Sequence, residues 1–177
     1  MNFKEQVWPV LSLSIISIVV AALLALTNNM TKDIILQNEI DAANAAKLEV
    51  LPDADGFEVI EMSESDIATY NITDVVTARN GVGTVITVSS SGYKGQVPVM
   101  VAFGADGNII RIKVMDNDET AGIGKRVEEE AYWSQYNGLG SDLSAVQAIS
   151  GATITSTSVK TSVEKAIKVY EIVKGGQ

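Results

Sequence analysis

The sequence predicts an α+β fold, in which a small antiparallel sheet is covered by helices and preceded by one N-terminal transmembrane helix. Three patterns support this prediction: a nearly continuous apolar run over residues 7–26, an alternation of apolar and polar residues over 97–114, and apolar residues at helical spacing over 159–173. The 177 residues leave room for a single modest core beside the apolar run.

The apolar run is long enough to cross a lipid bilayer. Its 20 residues are interrupted only by Pro9 and three Ser. At about 1.5 Å per helical residue they span roughly 30 Å, the thickness of the hydrocarbon core. A cleaved secretory signal is the alternative, but here Lys4 is offset by Glu5 and no Ala-x-Ala site directly follows the run. We therefore predict a single-pass anchor within residues 1–31.

Charge is distributed unevenly along the chain. Beyond the apolar run lie 21 of the 22 acidic residues and 12 of the 13 basic ones, which gives this part a net charge of −9. An acidic domain on a short anchor favours a cell (inner) membrane protein whose domain lies on the extracytoplasmic side. The same charge repels nucleic-acid phosphates, so we expect no nucleic-acid partner.

The chain contains neither Cys nor His. Without Cys it has no thiolate nucleophile, disulfide or Cys-ligated cluster. Without His it has no imidazole base, His-dependent triad or His metal ligand. We predict no metal site and no catalytic residue, so any chemistry depends on carboxylates, hydroxyls, backbone groups or a cofactor.

The residues that follow the anchor predict a connecting helix over 32–52, because Ala, Leu, Ile and Glu dominate this stretch until Pro52. We assign residues 53–177 to one extracytoplasmic domain. Its first part, residues 57–78, contains short mixed runs that fit either edge strands or a further helix.

A β-hairpin is predicted in the middle of this domain. After a β-rich stretch that ends in Gly-Tyr-Lys-Gly, alternation marks two strands on either side of the turn-forming residues 104–108. Arg111 and Lys113 make the exposed face of the second strand basic. The apolar residues expected on the core face are Val97, Val99, Val101 and Phe103 in the first strand, and Ile110, Ile112 and Val114 in the second.

A polar loop with Gly122 and Gly124 follows the hairpin and leads into a short helix. The apolar residues that suggest this helix are Val127, Ala131 and Tyr132.

The final helix is predicted to begin between Ser156 and Ser158 and to end at Gly175 and Gly176. Its apolar stripe consists of Val159, Val163, Ala166, Tyr170 and Val173. Its solvated face consists of Lys160, Glu164, Lys165, Lys168 and Glu171.

Hydroxyl residues and a Gly crowd the start of this final helix. Ser or Thr at positions 155–158 would cap free amide groups, and this ordinary structural role accounts for each of them singly. It accounts less well for Ser150, Gly151, Ala152 and Thr153. Small residues before a Thr let another molecule approach the backbone, and the positive end of a helix favours a phosphate. The residues alone thus indicate a helix cap or an anion site.

The heptapeptide SGATITS, residues 150–156, resembles the S/T-G-A-T signature of the FMN-binding domain family. Gly-Tyr-Lys-Gly at 92–95, the strands around ADGNI, the loop DETAGIGKRV, and the apolar N-terminal run with VLPDA resemble that family in order and spacing. The resemblance spans nearly the whole chain and is greater to the G subunit of the Rnf complex than to the longer C subunit of the sodium-pumping NADH:quinone oxidoreductase. Two positions depart from the family pattern: Gln147 stands where Asp is usual, and Ala121 where Pro is usual.

The resemblance implies that FMN is attached to Thr153 through a phosphoester bond, by a separate flavin transferase that takes the FMN from FAD. Thr153 is then a tether, since the chain has no His to activate it as a nucleophile. The residues implied to hold the phosphate end are Ser150, Gly151, Ala152, Thr155 and Ser156. Those implied to border the isoalloxazine or the ribityl chain are Glu119, Thr120, Gly122 and Gly124, with Lys125 and Tyr93 as further neighbours.

The resemblance also implies a role as an electron-transfer subunit of a membrane-bound, ion-translocating ferredoxin:NAD oxidoreductase, which moves Na⁺ or H⁺. The expected partners are the other membrane and redox subunits of that complex, the flavin transferase and the lipid bilayer. No independent catalysis is expected of this chain. One alternative is a flavin-free, membrane-anchored domain that binds a ligand or scaffolds a membrane complex, and another is a Ser or Thr hydrolase, which the absence of His disfavours.

Overall fold

The computed structural model describes residues 3–175, with the side chains of residues 3–7, 9, 29–30 and 33–41 outside the description. The chain divides between Ala45 and Ala46 into two units. Every strand of the described chain belongs to the second unit.

Helix α1, Phe3–Val50, contains the predicted apolar N-terminal helix. Its segment Val10–Asn28 has a mean hydropathy of 2.6 and, by length and composition, suffices to cross a membrane. Ser14 and Ser17 donate side-chain hydrogen bonds of 2.9 and 2.8 Å to carbonyl groups four residues earlier, so their hydroxyls are satisfied within the helix. The prediction of one N-terminal apolar helix, a candidate membrane span, is confirmed. The helix ends at Val50 because the residue before Pro52 is disfavoured in helical conformations.

The second unit is built on a five-stranded antiparallel sheet in the order β1-β2-β3-β4-β5. The strands are β1 Phe57–Val59, β2 Ile72–Ala78, β3 Gly83–Ser91, β4 Gln96–Gly104 and β5 Ile109–Val114. Helix α2, Glu64–Tyr70, lies between β1 and β2, so residues 57–78 contain both an edge strand and a helix. The predicted α+β class with an antiparallel sheet is confirmed.

Both faces of the sheet are covered. The predicted core face of β4 is confirmed, since Val97, Val99, Val101 and Phe103 all join the larger buried cluster, together with the stripe of the final helix. The intervening Met100 and Ala102 belong to a second cluster, which includes Ala46 and Val50 of α1 and the following Leu51. On this second face Lys113 pairs with Glu49, and Lys47 forms an ion pair of 2.6 Å with Asp74.

The placement of Ile110 on the core face was wrong. The β4–β5 register shifts after Ala102, which pairs with Arg111, so that Phe103 pairs with Ile109 and Ile110 is the extra residue of a bulge. Ile110 is 40% exposed whereas Ile109 is 1% exposed. A bulge of one residue exchanges the two faces of a strand, because side chains alternate along it.

Short helical segments connect the sheet to the final helix. They are a 3₁₀ helix at Gly124–Glu128, α3 at Glu130–Trp133 and a 3₁₀ helix at Ser134–Tyr136. Val127 and Tyr132 are buried as the short-helix prediction requires, whereas Ala131 is exposed.

Helix α4, Thr153–Gly175, begins three residues before the predicted start at Ser156. The residues expected to cap the helix lie within it instead, and the hydroxyls of Thr155, Ser156 and Ser158 bond to neighbouring segments. Its stripe of five apolar residues is buried as predicted. The predicted end at Gly175 is confirmed, and Gly176 lies outside the described residues.

Candidate functional site

A cavity of about 540 Å³ opens beside the N-terminal end of α4. Three segments form it: the turn after β3, the loop of residues 119–124, and the start of α4. Its volume lies within the range of roughly 300–1,000 Å³ that is usual for small-molecule sites. The residues that line it are Tyr93, Glu119, Thr120, Ile123, Gly124, Gly151, Ala152, Thr153, Ile154 and Thr155.

The first turn of α4 places Thr153 at this cavity. Gly151 has φ +83°, a left-handed conformation that favours glycine, and it turns the chain into the helix. The Ala152 carbonyl accepts the first backbone bond of the helix, from the Ser156 amide at 2.9 Å. The amides of residues 153–155 therefore lie outside the helical bonding pattern, and with the helix dipole they favour a bound anion.

Glu119 is buried beside the cavity and is only 4% exposed. One carboxylate oxygen accepts a hydrogen bond from the Lys94 amide at 2.8 Å, and the other accepts one from the Thr155 hydroxyl at 2.5 Å. Because Lys94 lies in the turn after β3 and Thr155 in α4, this one carboxylate connects all three segments of the cavity.

Glu119 is ionised at neutral pH. Burial alone would raise the pKa of its carboxyl group, but hydrogen bonds from Thr155 and from the backbone amides of Lys94, Tyr93 and Gly95 outweigh burial and lower the pKa below its ordinary value of 4.5. Because this pKa is lower in the folded chain than in the unfolded chain, ionised Glu119 stabilises the fold at pH values above 4.5. This stabilisation is lost as the pH falls through the lowered pKa.

Eight of the twelve predicted site residues come together around the cavity, although their sequence positions span residues 93 to 155. They are Tyr93, Glu119, Thr120, Gly124, Gly151, Ala152, Thr153 and Thr155. Thr153 is exposed, whereas Thr155 is 2% exposed, so the two Thr side chains of the signature have different surroundings.

Lys125 does not line the cavity. Its ammonium group pairs with Asp116 at 3.0 Å and with Glu128 at 3.2 Å. Hydrogen bonds to these two carboxylates raise the pKa of Lys125 above its ordinary value. Its predicted role as a neighbour of the cofactor stays a prediction.

Three other predicted residues also lie outside the cavity lining. Ser156 is buried, and its hydroxyl accepts a hydrogen bond from the Ile149 amide at 3.0 Å. Ser150 and Gly122 are exposed, and Gly122 has a left-handed φ of +73°. The contacts of these three residues with a ligand stay predictions.

Two apolar side chains at the cavity were missed by reasoning from the sequence. Ile123 and Ile154 line it and are 50% and 56% exposed. The sequence did contain a signal for them, because Ile123 lies between two Gly and Ile154 between two Thr. Each is a large apolar residue within a segment of otherwise small or polar residues. An exposed apolar pair beside a polar helix start suits a ligand that has one apolar and one anionic part.

Gln147 lies outside this cavity and belongs to a second, smaller one of about 310 Å³. Its backbone amide donates to the Gln135 side chain at 2.9 Å, and the Gln135 amide group returns a hydrogen bond to the Gln147 carbonyl at 3.4 Å. Gln135 thus holds the backbone of Gln147, the position at which the family signature usually has Asp.

The chain is similar to known proteins in the region of this cavity and beyond it. The FMN-binding domain family matches residues 92–168. The G subunit of the Na⁺-translocating ferredoxin:NAD⁺ oxidoreductase complex of Acetobacterium woodii is 33% identical, over 97% of this chain and 98% of that protein. The G subunit of the ion-translocating oxidoreductase complex of Methanosarcina acetivorans is 28% identical, over 97% and 98%. A crystal structure of Shewanella oneidensis NqrC matches with a TM-score of 0.48 and 23% identity, over 64% of this chain and 65% of that one.

The two G subunits match the chain over almost its whole length, and the family match includes every residue that lines the cavity. The chain therefore belongs to the FMN-binding domain family and, within it, to the G subunits of ion-translocating (Rnf) oxidoreductase complexes.

Proposed function

We propose that this chain is the electron-transfer subunit of a membrane-bound, ion-translocating ferredoxin:NAD oxidoreductase complex, and that it carries FMN on Thr153 through a phosphoester bond. The observation that carries the proposal is the exposed Thr153 at the start of α4, within a cavity of about 540 Å³. Similarity along the whole chain to the G subunits of such complexes supports the redox role.

The residues at the cavity suit the two chemically different ends of FMN. The amides of residues 153–155 and the positive end of α4 would stabilise the negative charge that remains on a phosphodiester. Ile123 and Ile154 offer apolar surface to a flat ring system. Bound FMN supplies the redox chemistry, while the protein supplies position, hydrogen bonds and electrostatics.

The chain would need a separate flavin transferase to acquire this bond. A Thr hydroxyl is a weak nucleophile without an adjacent base, and the sequence contains no His. The carboxylate that lines the cavity, Glu119, is already occupied by Thr155 and Lys94. The modification would thus depend on a partner enzyme, and covalent attachment would keep the flavin in place on the extracytoplasmic side of the membrane.

In-gel fluorescence tests the proposed function. The full chain is expressed in cells known to flavinylate other targets, and the denatured band is examined for flavin fluorescence. A fluorescent band is expected. A colourless band of unmodified intact mass would favour the alternative, a flavin-free anchored domain that binds a ligand or scaffolds a membrane complex.

Two charges in the apolar segment are expected to release the chain from the membrane. Val19 and Leu23 lie near the middle of the Val10–Asn28 segment, one helical turn apart. An Arg at the centre of a span raises the free energy of membrane insertion by about 2.5–3.5 kcal/mol. The double variant Val19→Arg, Leu23→Arg should therefore be absent from membranes that have been washed with carbonate. The control variant Val19→Leu, Leu23→Val should remain there. Membrane retention of the Arg variant would contradict an anchoring role for this segment.

Removing the charge of Glu119 is expected to raise the midpoint potential of the bound flavin. A fixed negative charge beside the cavity disfavours the added electron, and at a separation of several ångströms its effect is on the order of tens of millivolts. Redox titration of Glu119→Gln and of the wild type measures this shift in midpoint potential. An unchanged potential would remove Glu119 from the residues that tune the flavin.

A further inference from the structure

We propose that Glu119 is a positioning residue whose buried carboxylate fixes the first turn of α4 so that the Thr153 hydroxyl faces the cavity. The inference rests on the proposed function, in which Thr153 is the attachment point. It assigns Glu119 a task different from direct contact with the cofactor, because both of its oxygens are already bonded within the protein.

The two carboxylate oxygens hold two different segments. One accepts the Lys94 amide at 2.8 Å, in a turn that is itself closed by a 2.7 Å bond from the Gly92 amide to the Gly95 carbonyl. The other accepts the Thr155 hydroxyl at 2.5 Å. Hydrogen bonds to a charged acceptor are about twice as strong as neutral ones, so this carboxylate holds α4 firmly against the turn after β3.

The bond to Thr155 sets the rotation of the helix start. Successive residues of an α-helix are about 100° apart around its axis, so Thr153 and Thr155 point in nearly opposite directions. Thr155 also lines the cavity but is held toward Glu119 at 2% exposure, and Thr153 is left on the exposed side of this first turn. Loss of the inward bond would allow this first turn to rotate or fray and would move the acceptor hydroxyl.

Two glycines make room for the Glu119 side chain. A Cβ atom at Gly92 would lie 2.6 Å from a carboxylate oxygen of Glu119, and one at Gly124 would lie 2.9 Å from the Cβ of Glu119. Both distances are too short for any side chain at these positions. Gly92 of the GYKG turn and Gly124 of the 119–124 loop therefore both pack against the Glu119 side chain, and a Cβ at Gly92 would also lie 2.7 Å from Val97.

The test compares the rate of covalent flavin attachment in variants of the full chain, each expressed with the same flavin transferase. Glu119→Ala and Thr155→Val break the carboxylate–hydroxyl bond, and both should slow attachment by about tenfold or more, since small misplacements of a reacting group have effects of that size. Thr155→Ser keeps the hydroxyl and should restore the rate. Glu119→Gln should also rescue it, because its carbonyl oxygen can accept the Lys94 amide while its amide nitrogen donates to Thr155.

Tyr170→Phe is the matched control for a general loss of stability. It also removes a buried hydroxyl of α4, whose bond to the Gly104 carbonyl is 3.0 Å long, but at the end of the helix remote from the cavity. This variant should attach flavin at the wild-type rate. If Tyr170→Phe slows attachment as much as Thr155→Val does, or if Glu119→Ala and Thr155→Val match the wild type, the positioning role is overturned.

Hydrogen exchange of the flavin-free chain supplies a readout that does not require attachment. The Lys94 amide should exchange at least about tenfold faster in Glu119→Ala than in the wild type, whereas amides in the middle of β3 and β4 should be unaffected. Unchanged exchange at Lys94 would overturn the inference. A wild-type chain that acquires no flavin contradicts the proposed function itself, whereas a loaded wild type with equally loaded variants contradicts only the role of Glu119.

Discussion

Replacing Thr153 by Ala is expected to remove covalent flavin from the chain completely while the fold stays intact. The Thr153 side chain is exposed, and surface substitutions usually change the free energy of unfolding by less than about 0.5 kcal/mol. Loss of the hydroxyl removes the only atom of residue 153 that can form a phosphoester. In-gel fluorescence and the unfolding midpoint of the same preparation measure the two effects together.

Thr157→Ala is the control for this variant. Thr157 is also an exposed Thr of α4, one helical turn beyond Thr153, and it does not line the main cavity. It should keep its flavin. Retention of covalent flavin by Thr153→Ala would move the attachment to another hydroxyl, with Thr157 the first to be examined, because the Thr155 hydroxyl is engaged by Glu119.

Phe103→Ala is expected to produce the largest loss of stability. Phe103 is 1% exposed and stacks on Tyr170 with ring centroids 4.7 Å apart, so it joins β4 to α4 within the larger core cluster. Truncation of a buried Phe to Ala costs about 3–5 kcal/mol through lost transfer free energy and the cavity left behind. Urea unfolding of the full chain in detergent measures it.

Ile110→Ala provides the comparison within the same hairpin. Ile110 is 40% exposed at the β4–β5 bulge, and its truncation should cost less than about 1 kcal/mol. A loss for Ile110→Ala as large as that for Phe103→Ala would contradict the position of the bulge and the register of β5.

Local patterns predicted much of this fold because they depend on neighbouring residues. Alternation placed Val97, Val99, Val101 and Phe103 on the core face, and helical spacing identified the buried stripe of the final helix. The same alternation failed at Ile110, since a bulge arises from how two strands pair and leaves no period in the sequence. The predicted start of α4 was late because its hydroxyl residues resemble caps, although they bond to segments distant in the chain.

The candidate site was predictable as a set of segments but not as a geometry. The resemblance at residues 150–156 and in the 119–124 loop indicated the stretches that the fold brings together around one cavity. It did not indicate that Glu119 accepts a hydrogen bond from Thr155, 36 residues away, or that Lys125 forms ion pairs with Asp116 and Glu128. Such contacts depend on tertiary packing, which spacing along a sequence does not encode.

The mass of one tryptic peptide is the sharpest test of flavin attachment at Thr153. Cleavage after Arg126 and Lys160 releases residues 127–160, which contain Thr153 and every other hydroxyl of the signature. From cells that flavinylate other proteins, we expect this peptide to carry the mass of one FMN less one water, with fragment ions that place the addition on Thr153. An unmodified peptide, or an addition on a different residue, would contradict attachment at this position.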